Sequence, residues 1–294
     1  MRLLRWIVLA VIVIGGAVGI YMLTPVRGPE RDLTLAADAE HGAYLIRLGG
    51  CVTCHTSPRN RDAILSGGLG LKTPFGTFYP PNITSSKTDG IGDWTLQQFS
   101  DAMSNGEGPE GHFYPAFPYD SYTLMSDQEI VDLYAALQQV PAVDTASKPH
   151  DVGFPFNIRL AMAGWKHLFF SPRRYVADAS KSDEWNRGRY IVMGPGHCVS
   201  CHSPRNILGG LESGKELTGS GESSGPGGKA PALTKAALEK VGYTPELLTQ
   251  TLITGEIPGG DSVAGTMGEV VRDETSQWTD ADRAAVVTYL LGAN

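Results

Sequence analysis

The first element that the hydrophobic pattern predicts is a long apolar helix at the N-terminus. An uncharged run of 18 residues, 6–23, follows Arg2 and Arg5. At about 1.5 Å rise per residue, this run makes a helix of roughly 27 Å, just enough to cross the hydrocarbon layer of a membrane. Because basic flanks stay on the cytoplasmic side, everything after Thr24 is expected to be exported.

The alternative interpretation of this segment is a cleaved signal peptide. Residues 17–19, Ala-Val-Gly, form an acceptable small-x-small cleavage site. The apolar run continues beyond that site through Met22, which favours a retained membrane anchor over residues 1–24. Both interpretations place the body of the protein outside the cytoplasm.

Beyond the anchor, the pattern of apolar, glycine and polar positions occurs twice. Residues 42–60, GAYLIRLGGCVTCHTSPRN, match residues 188–206, GRYIVMGPGHCVSCHSPRN. Further matches follow in the same order downstream: PNIT with PALT, WT with YT, GExPxG with GExPxG, and SD with TD. The repeat predicts two domains, 36–141 and 180–294, joined by a linker over 142–179.

Helix signals, rather than strand alternation, dominate both domains, so we expect an all-α fold. Middle helices are predicted to start after Thr95 and Thr244, and closing helices are predicted at about 127–139 and 280–292. The linker is apolar but carries charges at Arg159 and Lys166, which makes a second membrane crossing improbable. A packed linker is favoured over a docking surface.

Composition excludes some classes of function. The chain has 24 Lys and Arg against 31 Asp and Glu, a formal charge of −7, so it repels phosphate backbones and nucleic acid is not expected as a partner. Residues 219–229, GSGESSGPGGK, are a flexible surface loop by composition, and they lack the Lys-Ser/Thr that follows a phosphate-binding loop.

The chemistry lies in the four cysteines, which form two C-x-x-C-H motifs: Cys51, Cys54 and His55, then Cys198, Cys201 and His202. Cysteines three apart on a helical turn point the same way and can bond both vinyl groups of one haem, while the histidine addresses the iron. A zinc site would need both pairs, which lie far apart in the chain. A thioredoxin-like pair would not need the histidine in both copies. The motifs predict two covalently attached haem c groups.

The second axial ligand of each iron is expected in a loop before the closing helix. In the second domain Met267 is the only methionine downstream of the motif. In the first domain Phe117, which cannot bind iron, stands near the equivalent position. Met125 is the preferred candidate there, followed by an open or water-bound iron and then His112; Met103 is better explained as helix core. A thioether ligand would give a low-spin iron of raised potential, suited to electron transfer.

Several motifs resemble the cytochrome c subunits of membrane-bound periplasmic dehydrogenases that act on alcohols, gluconate and aldehydes. The resemblance covers about 38–294 and rests on CHTSPRN and CHSPRN, TPFGTFYPPNIT, FYPAFPYDSYT, PFNIRLAMAGW, and APALT followed by GTMGEVV. It implies two tandem class I cytochrome c domains, with the cysteines binding haem, the two motif histidines as proximal ligands and Met267 as a distal ligand. Such subunits commonly have a third haem domain, which this chain lacks, so direct quinone reduction is not expected. The FPYD sequence is more similar to the cytochromes of molybdenum-dependent aldehyde dehydrogenases.

The resulting hypothesis is a dihaem cytochrome c on the periplasmic face of the bacterial inner membrane. It would take electrons from a periplasmic dehydrogenase and pass them to a terminal oxidase or another cytochrome, without oxidising an organic substrate itself. One alternative is a haem enzyme that uses an open first haem on a small oxidant or sulfur compound. Another is a tethered shuttle with no dedicated dehydrogenase.

Overall fold

The structure is a computed structural model that describes residues 2–221 and 229–292. Most of the loop predicted at 219–229 therefore lies outside the described residues. The N-terminal helix is α1, Arg2–Met22, and its residues from Leu4 to Tyr21 are exposed. It is the one helix of the described chain that is long and apolar enough to cross a membrane, a property that signal sequences share.

In the rest of the described chain, helices are the main regular elements, and they are joined by long loops and a few very short strands. In chain order the helices are α2 Ala39–Leu48, α3 Cys51–His55, α4 Leu96–Asn105, α5 Tyr119–Tyr122, α6 Asp127–Leu137, α7 Ala161–Phe169, α8 Asp183–Met193, α9 Cys198–Cys201, α10 Lys235–Lys240, α11 Pro245–Thr254, α12 Gly265–Asp273 and α13 Asp280–Leu291. A 3₁₀ turn at Thr275–Gln277 links α12 to α13.

The strands are the main departure from the predicted all-α fold. They are β1 Leu71–Thr73, β2 Gly76–Phe78, β3 Glu107–Gly108, β4 Gly111–His112, β5 Asp151–Val152, β6 Glu256–Ile257 and β7 Asp261–Ser262. β1, β2 and β5 form one antiparallel sheet, and β3–β4 and β6–β7 form two hairpins. Strands of two or three residues are too short to produce a recognisable alternation of apolar and polar residues.

The predicted middle and closing helices are present, and their caps explain where they begin. Thr95 and Ser126 each form a capping box with the residue three positions on, and Thr244 and Thr279 cap α11 and α13 with their hydroxyl groups. A capping side chain satisfies amide groups that have no partner inside the helix.

The same helix crossing occurs once in each repeat. α2 packs on α6 with Gly42 against the backbone of Asp132, and α8 packs on α13 with Gly188 against the backbone of Ala285. A Cβ atom on Gly42 would lie 2.0 Å from the Asp132 carbonyl oxygen, and one on Gly188 would lie 1.9 Å from that of Ala285. Only glycine permits this approach.

The two repeated units pack against each other through one shared hydrophobic cluster and a polar contact. Asp282 on α13 accepts hydrogen bonds from Tyr44 Oη at 2.6 Å and from Arg187 Nε and Nη2 at 2.7 and 2.9 Å. Tyr190 on α8 donates to the Glu129 carboxylate of α6. These bonds fix the orientation of the second unit relative to the first.

The segment between the repeats is packed rather than extended. β5 pairs with β2 of the first unit, and α7 inserts Trp165 and Lys166 between the units. Trp165 Nε1 donates to the Leu208 carbonyl at 2.8 Å, and Lys166 Nζ donates to the carbonyls of Asn105 and Gly106 at 2.7 and 2.8 Å. α7 therefore contacts both units.

Candidate haem-binding sites

Both cysteine motifs lie on short helices that begin in the same unusual way. The residue before each helix, Gly50 or His197, is in the left-handed region, with φ of 65° and 37°. This sharp entry starts a helical turn directly at Cys51 or Cys198. The two cysteines of each pair are then one turn apart on the same face, as attachment to one haem edge requires. All four are thiols rather than disulfides.

The proximal histidines are oriented by matching hydrogen bonds. His55 Nδ1 lies 2.7 Å from the carbonyl oxygen of Pro81, and His202 Nδ1 lies 2.7 Å from that of Pro231. A carbonyl oxygen only accepts, so Nδ1 carries the hydrogen and the Nε2 lone pair stays available for a metal. Burial lowers the pKa of both imidazoles, which favours the neutral form that binds iron.

A second pair of matching contacts holds the loop after each motif. Leu65 and Leu217 have φ of 63° and 61°, an uncommon conformation for leucine. The Leu65 amide donates to Thr56 Oγ1 at 3.0 Å, and the Leu217 amide donates to Ser203 Oγ at 2.9 Å. These contacts are not predicted by the motifs, although a hydroxyl residue directly after C-x-x-C-H in both copies is a signal for them.

The donor set of each unit is two thiols and one imidazole. No group of three or more His, Cys, Asp or Glu side chains comes together as a metal-ion site within residues 2–221 and 229–292. Two thiols with one neutral imidazole in each unit instead fit a thioether-linked haem, with the imidazole as an axial ligand.

The candidates for the distal ligand of the first unit differ in their surroundings. Met125 is 1% exposed and is part of the shared hydrophobic cluster, directly before the capping residue Ser126. Phe117 is half-buried and packs against Tyr122, with ring centroids 5.3 Å apart. Met103 lies in the core on the buried side of α4, as expected for a packing residue.

The ring of His112, the third candidate, makes a hydrogen bond with Lys166. Its Nδ1 lies 3.2 Å from Lys166 Nζ, which can only donate, so Nδ1 acts as the acceptor and Nε2 carries the hydrogen. In this tautomer neither ring nitrogen offers a free lone pair. Burial lowers the pKa of Lys166 to about 8 and also lowers the pKa of His112. The contact therefore argues against His112 as an iron ligand.

Met267 in the second unit is the third residue of α12 and is half-buried. α12 packs against α3 of the first unit, so the segment that carries this methionine also forms part of the contact between the units. Its position follows the β6–β7 hairpin, which corresponds to β3–β4 of the first unit.

Comparison with known proteins decides the family. The chain is 40% identical over 287 residues to a protein of Cereibacter sphaeroides described as "Diheme cytochrome c-type", and the match covers 96% of this chain and 95% of that protein. This chain belongs to the dihaem c-type cytochromes. It is an electron-transfer protein with covalently bound haem c, and its relatives include cytochrome subunits of dehydrogenases, in agreement with the resemblance stated above.

Two of these relatives are parts of dehydrogenases. The cytochrome is 38% identical to the "Fructose dehydrogenase cytochrome subunit" of Gluconobacter japonicus, over 85% of this chain and 51% of that protein. It is 33% identical to the "Alcohol dehydrogenase (quinone), cytochrome c subunit" of Gluconacetobacter polyoxogenes, over 89% of this chain and 56% of that protein. The cytochrome thus spans about half the length of these longer relatives. No family model matches it.

The two cysteine motifs of this cytochrome meet at a buried carboxyl group. Glu274, directly after α12, is 2% exposed. A Cβ atom on Gly50 would lie 2.6 Å from Glu274 Oε2 and 3.0 Å from Cε1 of His197, the residue before Cys198. Burial raises the pKa of Cys51 and of Cys198 to about 12, and the ionised form of Glu274 would add to both shifts. Both attachment segments therefore adjoin this carboxyl group.

Proposed function

We propose that this chain is a membrane-anchored dihaem cytochrome that accepts electrons from a periplasmic dehydrogenase and passes them to a terminal oxidase or another cytochrome. The observation that carries the proposal is the pair of equivalent sites, each with two thiols and an imidazole whose Nε2 is free. They lie in units packed so closely that both cysteine motifs adjoin one carboxyl group.

In this proposal Cys51 and Cys54 hold one haem, and Cys198 and Cys201 hold the other. Bound haem supplies an iron that changes its charge by one electron. The residues of the chain hold and orient that iron: the Pro81 carbonyl fixes the ring of the proximal His55, and its counterpart does the same in the second unit. Tandem class I domains over 36–141 and 180–294 are part of the proposal.

The distal ligands complete each site. Met267 is proposed for the second iron, because it lies in the segment before the closing helix and its side chain is only partly covered. Met125 is proposed for the first, because it is an apolar thioether enclosed in the core. A ferrous iron with imidazole and thioether ligands has no open position, which suits electron transfer rather than catalysis.

The proposed partner follows from the relatives. Cytochrome subunits of fructose, alcohol and gluconate dehydrogenases share 33% to 40% identity with this chain. A dehydrogenase on the periplasmic face of the inner membrane is therefore the proposed donor, and α1 is the proposed anchor. The proposed acceptor is a terminal oxidase or another cytochrome, because a haem gives up one electron at a time and needs a partner that accepts single electrons.

The test begins with haem count. Haem staining on a denaturing gel and intact mass should show two haem additions, and Cys54→Ser and Cys201→Ser should each lose one. Rapid mixing with a periplasmic dehydrogenase of the same cell should then reduce both haems. One haem, bound zinc, or no reduction by any periplasmic dehydrogenase would contradict the proposal. Carbon monoxide binding to the untreated protein would instead support the haem-enzyme alternative.

A further inference from the structure

An apolar face of α7 lies directly beside the end of the proposed membrane anchor. Met22, the last residue of α1, approaches Gly164 in the middle of α7; a Cβ atom on Gly164 would lie 3.5 Å from Met22 Cε. The next turn of the contact involves His167, whose ring lies 4.6 Å from that of Tyr21 and whose Nε2 is 3.0 Å from the Thr24 carbonyl oxygen. The exit of the anchor is thus fixed against α7.

The residues on either side of this contact are exposed and apolar. Leu160 and Leu168, four residues before and after Gly164, are 57% and 60% exposed. Residues spaced by four lie on one side of a helix, so these three share a face, together with the exposed Ala161. The opposite side of α7 is buried, with Ala163, Trp165 and Lys166 packed inward. The face consists of uncharged residues, and both of its leucines are left open by the described chain.

Geometry limits how far this face can be from the lipid. The apolar run of α1 is only about as long as the hydrocarbon layer is thick, so its end at Met22 must lie near the boundary with the headgroups. Each of the two leucines is about 6 Å from Gly164 along the α7 axis, since four residues rise about 1.5 Å each. An interfacial helix buries its apolar face roughly 5–10 Å into this boundary region. The distance of about 6 Å from Gly164 to each leucine is within this depth, so both leucines can reach the boundary region.

We infer that α7 is an interfacial helix, and that its Leu160–Gly164–Leu168 face rests in the headgroup region of the membrane beside the anchor. The inference rests on the proposed anchoring through α1. This contact would determine where the haem-binding units lie relative to the membrane. Because α7 contacts both units through Trp165 and Lys166, binding of its face to the headgroup region would hold both units at a fixed height and tilt. A single anchor helix followed by an extended segment would not do so.

The test places nitroxide labels on the full-length, haem-loaded protein in lipid nanodiscs. Leu160→Cys and Leu168→Cys report on the α7 face, and Ile14→Cys reports on the anchor. Val241→Cys is the matched control, because Val241 is 57% exposed, as Leu160 is, but belongs to the second unit. The readout is the accessibility of each label to oxygen, which concentrates in lipid, relative to a water-soluble nickel complex. Haem content is measured for each variant before comparison.

The expected result is an oxygen-to-nickel ratio several times higher at 160 and 168 than at 241, and highest at 14. A lipid-like ratio at 14 with water-like ratios at 160 and 168 would overturn the inference while leaving the anchor intact. Water-like ratios at all positions would instead refute the proposed anchor. Labels at 160 and 168 that stay water-like in lipid, but become shielded when a dehydrogenase is added, would show a protein-docking face and would also overturn it.

Discussion

Replacing Gly188 by alanine is the most direct test of the helix crossing that supports the second haem site. The added Cβ atom would lie 1.9 Å from the Ala285 carbonyl oxygen, whereas ordinary contacts begin at 3.4 Å, so α8 and α13 would have to separate by about 1.5 Å. Overpacking of this kind typically costs about 1–3 kcal/mol. The better helix propensity of alanine offsets at most about 1 kcal/mol of this.

We therefore expect net destabilisation of the second unit, since the clash involves backbone atoms that cannot rotate away. Because the two units share one hydrophobic cluster, each kcal/mol corresponds to a fall of about 2–4 °C in the melting temperature. The assay is thermal unfolding of the haem-loaded protein by far-ultraviolet circular dichroism, with the haem content of each preparation measured in parallel. Gly42→Ala should give the equivalent effect in the first unit, where the Cβ atom would lie 2.0 Å from the Asp132 carbonyl oxygen.

The matched control is Gly164→Ala in α7, where the nearest atom to the new Cβ would be a flexible methionine end at 3.5 Å. At this position there is no clash, so only the higher helix propensity of alanine acts, and the free energy of unfolding should be unchanged or higher. If Gly188→Ala is as stable as Gly164→Ala, the close crossing of α8 and α13 is wrong.

The remaining predictions concern charged groups and the axial ligands. Asp282→Asn should lower the free energy of unfolding by about 2–4 kcal/mol, because Asp282 is the carboxylate that pairs with the half-buried Arg187 and accepts a hydrogen bond from Tyr44 of the first unit. Asp93→Asn is the control, because Asp93 is 68% exposed in a surface pair with Lys87, and it should change stability by less than about 1 kcal/mol in denaturant titrations. Burial raises the pKa of Glu274 well above its ordinary value, so the folded state keeps a proton that the unfolded state loses above about pH 4.5. The free energy of unfolding should therefore fall as the pH rises above about 4.5. Glu274→Gln should make this fall less steep when unfolding is measured between about pH 5 and pH 7. Met267→Ala should convert one haem from low to high spin and lower its reduction potential. Met125→Ala should create a carbon monoxide binding site at one haem that the wild type lacks. Unchanged spectra in either variant would mean that another residue is the ligand of that iron.

Local signals in the sequence were sufficient for much of this protein. The two C-x-x-C-H motifs, the apolar N-terminal helix and the caps at Thr95 and Ser126 all act over a few consecutive residues, so they can be identified without a fold. The repeat added the expectation that both halves share one connectivity. It also correctly placed the hairpin segments as equivalent, although not as strands.

Tertiary structure decided the features that depend on residues far apart in the chain. The tautomer of His55 is set by a carbonyl 26 residues away, and the contact between the units depends on Asp282 meeting Tyr44 across 238 residues. Likewise, nothing in the neighbourhood of Glu274 in the sequence indicates that its carboxyl group is buried beside Cys51. Hydrogen bonding and burial at such positions are determined by which chain segments pack together, and residue type and local spacing do not specify that packing.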